Sequence, residues 1–213
     1  MKSFDAAKYW LLDLVHDLPF PLYRLTHPEL EIIANRKGHG LSHSDLLDTL
    51  HSLFQEGLIV NIRHPNDEVI IEFVPTYSEI DLALKGNNKS QYRLTNKGGG
   101  RWEVLSKPNW SLFLVDSFNL RTDEIIVEAS SLQIAEQYMK LTPYWYQHDL
   151  LSESKKNEVL RPWQATYWKE LPEGHRISVQ TVERACIRLE QDMPPDDREF
   201  LNAVRNWYKN PFE

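Results

Sequence analysis

Features that would assign this chain to the secreted or membrane proteins are missing from its sequence. Its 213 residues include one cysteine, Cys186, which excludes an internal disulfide bond and is typical of a reducing compartment. No uncharged apolar run approaches the roughly 20 residues that a membrane-spanning helix needs. The apolar stretch at residues 9–15 contains Asp13 and leads to no small-residue cleavage site, so it predicts a helix rather than a signal peptide. We therefore expect a cytoplasmic protein with no membrane partner.

A surplus of positive charge is missing too. The formal net charge is −7, with 11 basic against 14 acidic residues up to Leu105 and 13 against 17 beyond it. Non-specific affinity for nucleic acid comes mostly from Lys and Arg side chains that displace counterions from phosphates. Neither half of the chain therefore has a general electrostatic attraction to DNA, RNA or anionic membranes. A local basic patch is still compatible with these totals.

Motifs for catalysis, metal binding or phosphate binding are also missing. His39 and His43 have a four-residue spacing, but Gly40 interrupts a helix between them and no recognised zinc pattern is completed. The glycines at residues 98–100 lack the Lys-Ser/Thr ending of a phosphate loop and instead predict a tight entry into a helix that lets Trp102 pack. Since no nucleophile is paired with a base, we expect no enzyme, no catalytic residue, no metal and no cofactor.

The sequence does contain enough apolar material for a folded protein. Hydrophobic residues make up 41% of the chain, and they include seven tryptophans and nine tyrosines, a composition that is typical of globular domains. A composition shift at residues 107–109 marks a boundary, so we predict two domains, residues 1–106 and residues 107–213. Both halves contain helical and strand patterns, which predicts the α+β class.

The first half begins with three predicted helices, at residues 4–17, 26–38 and 42–57. Ser42 caps the third helix and Gly57 ends it. Its buried stripe repeats at helical spacing and consists of Leu46, Leu47, Leu50, Leu53 and Phe54. The second and third helices predict a helix-turn-helix, and strands at residues 58–63 and 68–74 predict a hairpin. A capping box at Thr76 then starts a short helix to about Lys85.

This order of elements resembles the winged-helix superfamily. A leucine-rich helix ending in Glu-Gly-Leu-Ile (residues 50–59) and a strand reading Tyr-x-Leu-Thr-x-x-Gly (residues 92–98) are similar to MarR-like and PadR-like regulators. The resemblance covers about residues 4–105. It implies an N-terminal winged helix-turn-helix domain. The residue patterns beyond it predict a smaller mixed α/β domain of no recognised family. It also implies that the third helix would read a DNA groove and that a wing, near Pro65 or near Asn87, would contact phosphates.

The outward face of the third helix departs from that superfamily because it carries no lysine or arginine. Its candidate partner-binding residues are Asp45, Asp48, His51, Ser52, Gln55 and Glu56. Three carboxylates repel a polyanion and attract a basic protein. We therefore predict a non-enzymatic protein-binding module, of adaptor, antitoxin-like or immunity-like type, whose partner is a basic protein.

DNA binding by a transcriptional regulator is the alternative that the resemblance implies. It would need basic side chains elsewhere to outweigh the carboxylates of the third helix. The candidates for nucleic-acid binding are Arg36, Lys37, Arg63, Lys97 and Arg101. The sequence leaves both hypotheses open.

The second half predicts a separate set of elements. Strands are predicted at residues 110–118, 124–128 and 175–182, and helices at residues 131–141, 183–191 and 195–207. Residues 147–161 predict an exposed helix or loop. The aromatic clusters at residues 144–146 and 163–168 would stack in one core if buried, and would form a protein-binding patch or a base-stacking platform if exposed.

Overall fold

A computed structural model describes residues 6–66, 69–184 and 189–212 of the chain. The fold is mixed α+β with antiparallel sheets, and its packing divides the chain into two units. The first unit contains the described residues up to Ser106, the segment Thr166–Lys169 and the described residues from Asn210 on. The second unit contains Lys107–Ala165 and Glu170–Lys209. The division after Ser106 falls beside the composition shift, while Thr166–Lys169 lies with the first unit.

The first unit contains five helices and four strands among its described residues. The helices are α1 (Ala6–Asp13), α2 (Leu30–Ala34), α3 (His43–Gln55), α4 (Tyr77–Leu84) and α5 (Asn96–Ser106). The strands are β1 (Phe20–Pro21), β2 (Ile59–Asn66), β3 (Val69–Phe73) and β4 (Gln91–Leu94). They form one antiparallel sheet in the order β1-β4-β2-β3. Strand β4 follows α4 in sequence but lies between β1 and β2. Other strands therefore extend the β2–β3 hairpin only on its β2 side.

The predicted third helix and the predicted capping-box helix are both confirmed. The Ser42 hydroxyl oxygen accepts a hydrogen bond from the Asp45 amide at 3.2 Å, which caps α3. The leucine stripe of α3 is buried as predicted. In α4 the Thr76 hydroxyl accepts from the Glu79 amide at 3.3 Å, and the Thr76 amide donates to the Glu79 carboxylate at 2.8 Å. Local capping chemistry therefore sets where both helices begin.

The predicted second helix is wrong in length, because α2 has only five residues. Thr26, its expected cap, instead ends a 3₁₀ turn (Leu22–Thr26) and donates its hydroxyl to the Leu84 carbonyl at 2.9 Å. At the other end, Asn35 adopts a left-handed conformation with φ of 49°, which stops the helix. Helix α1 is also shorter than predicted and ends at Asp13; Phe4, predicted to begin it, lies outside the described residues.

The glycines at residues 98–100 lie near the start of α5, where they form the predicted tight entry. A β-carbon on Gly98 would lie 1.8 Å from the Leu58 carbonyl oxygen, and one on Gly99 would lie 2.0 Å from the Trp168 ring. The first two glycines therefore allow α5 to pack closely against its neighbours. Trp102, one turn later in α5, is completely buried, as predicted.

The second unit is built around a five-stranded antiparallel sheet. Its strands are β5 (Leu114–Asn119), β6 (Glu124–Ala129), β7 (His148–Leu150), β8 (Lys156–Leu160) and β11 (Gly174–Glu183). The order is β5-β6-β11, and both β7 and β8 pair with β11, at opposite ends of its free edge. The short strands β9 (Trp163–Gln164) and β10 (Glu170–Leu171) form a separate pair. The helices are α6 (Leu132–Leu141), α7 (Pro143–Tyr146) and α8 (Pro195–Arg205).

Helix α6 covers one face of this sheet and forms the core with it. The residues that α6 and the two central strands bury there are Ile125, Val127, Ala129, Ala135, Met139, Ile177 and Val179. Along β6 and β11, these buried residues alternate with less buried residues on the opposite face of the sheet, as expected for an antiparallel sheet with one solvated side. The predictions of strands near residues 124–128 and 175–182, and of the helix at residues 131–141, are confirmed.

Two predictions for the second half are wrong, and a third, the strand at residues 110–118, is wrong only in where the strand begins. Residues 147–161 contain strands β7 and β8 rather than an exposed helix or loop, and the first predicted strand begins at Leu114, after a 3₁₀ turn (Trp110–Leu112). In the region of the predicted helix at residues 183–191, Glu183 ends β11 and Glu190–Asp192 form a 3₁₀ turn. The rest of that prediction, including Cys186, falls on residues 185–188, outside the described residues.

The aromatic clusters do not stack in one core. Trp163 is buried against Phe113 in the second unit, while Trp145 packs in a different cluster of that unit, around Leu141 and Met193. Trp168 belongs to the first unit, where its ring meets the Trp102 ring edge-on with centroids 6.0 Å apart.

Among the described residues, no helix is both long and apolar enough to span a bilayer.

Candidate functional site

The outward face of α3 is the first candidate site. Asp45, Asp48 and Gln55 lie on it with exposed side chains, and no lysine or arginine of α3 accompanies them. One Asp45 oxygen accepts from the Ser42 hydroxyl at 2.6 Å, so this carboxylate belongs to the helix cap as well as to the surface. Its negative charge also lies at the N-terminal end of the helix, where the helix dipole favours it.

Helix α4 forms one side of this face. The Tyr77 hydroxyl donates to an Asp48 oxygen at 2.8 Å, and the rings of Tyr77 and His51 meet edge-on with centroids 5.5 Å apart. His43 lies 2.9 Å from an Asp81 oxygen further along α4. The hydrogen bond to Asp48 raises the pKa of Tyr77 above its usual value. Tyr77 is nevertheless 44% exposed, and it is therefore available to a partner.

Helix α1 forms the other side through Lys8. Its ammonium donates to the Ser52 hydroxyl at 2.8 Å and to a Glu56 oxygen at 2.6 Å, and the Ser52 hydroxyl donates to Glu56 at 2.7 Å. The hydrogen bond from Lys8 lowers the pKa of Glu56, which therefore stays ionised. Lys97 donates to the Glu56 backbone carbonyl at 2.7 Å, near the end of the same helix.

Together these side chains define the α3 surface, which consists of Asp45, Asp48, His51, Ser52, Gln55, Glu56, Lys8 and Tyr77. All six residues predicted for partner binding lie on it. Lys8 and Tyr77 were missed, because they are separated from their α3 partners Ser52 and Asp48 by 44 and 29 residues in sequence. With Lys97 at the end of the helix included, three carboxylates accompany two ammonium groups, so the surface keeps a small negative charge.

Arg36, the first residue predicted to bind nucleic acid, is partly exposed and paired with a buried carboxylate of the first unit. Its guanidinium donates to Asp13 at 2.5 Å, and the Asp13 side chain is only 3% exposed. The other Asp13 oxygen accepts from the Trp102 indole at 2.7 Å and from the Tyr9 hydroxyl at 3.2 Å. A buried carboxylate needs such partners. The positive charge of Arg36 is therefore neutralised inside the unit.

The other predicted basic residues differ in availability. Arg63 donates to the Ser90 hydroxyl at 3.2 Å, and its guanidinium lies 4.7 Å from the centre of the Phe73 ring. Lys37 and Lys97 are exposed, and Arg101 is partly buried. Arg36, Arg63 and Lys97 thus have structural contacts that a phosphate would have to replace.

The histidines weighed as metal ligands are engaged with the protein. The two ring nitrogens of His39 lie 3.0 Å from the Leu25 carbonyl oxygen and 3.0 Å from the Leu41 amide, respectively. His43 is paired with Asp81. Across the described ranges, no three His, Cys, Asp or Glu side chains are grouped so that they could hold a metal ion.

Comparisons with protein-family models, with curated proteins and with solved structures give no match to this chain. Its function is therefore inferred from its own geometry.

Proposed function

We propose that this chain is a non-enzymatic protein-binding module that contacts a basic protein partner through the α3 surface. The observation that carries the proposal is the Tyr77–Asp48 hydrogen bond. It holds a half-exposed tyrosine at the α4 side of an acidic surface, beside His51. Tyrosine is enriched among the residues that dominate protein interfaces, and complementary charge speeds association.

We also propose that the first unit is a variant of the winged-helix scaffold. The capped helix α3, the hairpin that follows it, and the position of β4 between β1 and β2 support this proposal. In this variant α4 is inserted between the hairpin and β4, and it packs beside α3. Helix α4 therefore lies beside the helix that a DNA reader would place in a groove, and it supplies the tyrosine that a protein partner would contact.

A cross-linking experiment in native cells tests the proposed surface. A photo-reactive residue at Gln55 of the full chain should cross-link one basic protein, whereas the same residue at the exposed Leu120 of the second unit should not. The captured protein is then purified and titrated against the full chain by calorimetry. Equal capture from both positions, or no binding by the purified partner, would contradict the proposal.

Substitutions on α4 test the role of Tyr77. Tyr77→Ala should weaken binding of that partner by about 30-fold, as expected for an interface hot spot. Leu82 is the matched control, because it is also 44% exposed but lies five residues along α4, on another side of the helix. Leu82→Ala should leave the affinity unchanged. Equal affinities of Tyr77→Ala and the parent chain would exclude Tyr77 as an anchor.

DNA binding is the second candidate function, and the exposed Lys37 and Lys97 favour it. A titration with duplex DNA at low salt tests it directly. Because the α3 surface is acidic, we expect no saturable binding. An affinity that falls steeply with added salt, and that is lost in Lys97→Ala and Arg101→Ala, would replace the protein-binding proposal with a regulator of winged-helix type.

A further inference from the structure

In the second unit, the edge of β11 that faces away from β6 pairs with two short strands, and this pairing is interrupted between them. Strand β7 pairs with residues Thr181–Glu183 of β11, and β8 pairs with Gly174–Ser178. The segment between β7 and β8 passes along this edge and is hydrogen-bonded to Gln180 of β11. The Gln180 carbonyl accepts from the Leu151 amide at 2.9 Å, and the Gln180 amide donates to the Ser154 hydroxyl at 2.8 Å. A hollow beside this interruption is lined by residues of α6, β7, β11 and the segment between β7 and β8.

The hollow has a volume of about 370 Å³ and an apolar interior. Its apolar lining consists of Met139 from α6, Leu150 from β7, and Ile177 and Val179 from β11. Three of these four side chains, Met139, Ile177 and Val179, belong to the core of the second unit. Ligand pockets in proteins start at about 300 Å³ and are mostly apolar with a few placed polar groups. The hollow fits that description for a small ligand.

The polar residues of the hollow are Glu136, Lys140, Ser152 and Lys155. Lys155 donates to Glu136 at 2.5 Å, which joins the segment between β7 and β8 to α6. Both side chains are more than a third exposed, and exposed ion pairs contribute little to stability, so a ligand can displace this pair at low cost. Lys140 lies one helical turn beyond Glu136 on α6. Two ammonium groups therefore accompany one carboxylate in a protein whose net charge is −7.

We infer that this hollow binds a small alkyl carboxylate. The hydrocarbon chain would lie against Leu150 and the few exposed atoms of Met139 and Val179, while Ile177 beneath them is fully buried. The carboxylate would take the place of Glu136 beside Lys155, with Lys140 as the second cation. Neutral ligands lack the ionic contact, and alkylammonium ligands would be repelled by the two lysines. This site is independent of the α3 surface, since all its residues belong to the second unit.

Titration of the full chain with octanoate tests the inference. The methyl signal of Met139 should shift saturably, and the affinity should rise about fourfold for each methylene added from butanoate to octanoate, because each group buries apolar surface. Octanol should bind at least tenfold more weakly, and octylammonium should not bind. The absence of a saturable shift, or equal affinities for octanoate and octylammonium, would overturn the inference.

Variants of the hollow separate its charge from its volume. Lys155→Met should weaken octanoate binding about tenfold while octanol binding stays the same. The matched control is Lys156→Met, because Lys156 is adjacent and exposed but does not line the hollow. Leu150→Trp should abolish binding by filling the hollow, and its thermal unfolding is measured to verify that it folds. Octanoate binding that is unchanged in both Lys155→Met and Leu150→Trp would place the ligand elsewhere and contradict the inference.

Discussion

Asp13 shows how one residue acquires a role that its neighbours in sequence do not indicate. It lies in an apolar stretch of α1, where its charge argues against a signal peptide. In the folded unit its side chain is buried and accepts hydrogen bonds from Tyr9, Trp102 and Arg36. These partners come from α1, from α5 and from the residues after α2, so only folding brings them together. The same contacts remove Arg36 from the set of residues available to DNA.

Substitution of either member of the Asp13–Arg36 pair should destabilise the first unit. Arg36→Met leaves a buried carboxylate without its cation, which costs about 3–5 kcal/mol. Asp13→Asn should cost less, because the partly exposed guanidinium of Arg36 can turn toward water. Urea unfolding of the two single variants and the double variant measures these costs. If the double variant loses the sum of the two single losses, the two side chains do not interact.

His16 should make stability depend on pH near neutrality. Burial by itself lowers its pKa, but the hydrogen bond and charge of Asp17, together with Asp13, outweigh burial and raise the pKa above 6.5. The protonated ring is therefore favoured in the folded state. Its stabilising contribution is fully present below pH 6.5 and is lost as the pH rises through the raised pKa.

The His16 prediction is measured as a difference between two proteins. Urea unfolding of the parent chain and of His16→Gln is compared from about pH 5.5 to pH 8.5. The stability of the parent relative to the variant should fall across this interval. A constant difference would show that His16 does not take up a proton on folding.

Helices of this chain begin where local capping groups place them, but their lengths and neighbours depend on contacts that are distant in sequence. Ser42 and Thr76 begin α3 and α4 as predicted. Thr26 resembles an equivalent cap in sequence, yet its hydroxyl donates to the Leu84 carbonyl instead. Residues 147–161 were predicted as an exposed helix or loop because their pattern is polar, and their pairing with β11 could not be inferred from periodicity. Local signals therefore predict these elements only where no distant partner competes.

The three successive glycines of α5 should respond differently to alanine. Gly98→Ala and Gly99→Ala should destabilise the first unit by about 1–3 kcal/mol or more, because the new β-carbon would overlap the Leu58 carbonyl or the Trp168 ring. A β-carbon on Gly100 would meet no neighbouring atom within 4 Å, so Gly100→Ala should stabilise the helix by about 0.5–1 kcal/mol. Urea unfolding measures all three. Equal effects at the three positions would contradict the close packing.

The division of the chain into two units does not follow its sequence order completely. Thr166–Lys169 belongs to the first unit, although Lys107–Ala165 of the second unit precedes it in sequence. Within the first unit, the Tyr167 hydroxyl accepts from the Leu94 amide at 2.7 Å, and the Trp168 indole donates to the His16 carbonyl at 2.8 Å. The predicted boundary between residues 106 and 107 therefore separates the first unit from a segment that it uses.

A chain that ends at residue 106 should be less stable than the first unit in the full chain, because it lacks Tyr167 and Trp168. Replacing Trp168 by alanine should lower the free energy of unfolding by on the order of 2 kcal/mol. This is less than the loss expected for a fully buried tryptophan, because Trp168 is only partly buried. Hydrogen exchange at the Leu58 and Leu94 amides of the full chain, of Trp168→Ala and of residues 1–106 measures this. Equal protection of these amides in all three proteins would show that the segment contributes nothing.

Much of the α3 surface could be predicted from the sequence, since helical spacing alone separates its outward residues from its leucine stripe. The sequence could not predict that Tyr77 and Lys8 would lie beside that surface, or that Arg36 would be neutralised. It also could not predict the hollow below α6, because its residues come from two strands, a helix and the segment between β7 and β8. Such groupings depend on which elements pack together.

The sequence by itself determined the acidic balance of the chain, the caps of α3 and α4, the buried stripe of α3 and the α+β class. These properties depend on composition or on residues within about one or two helical turns of each other. Only the tertiary structure decided which charges remain exposed, which aromatic rings share a cluster and where a hollow opens. Those outcomes depend on burial and on pairing between distant segments, and the free energy of each contact exists only when the whole unit is packed.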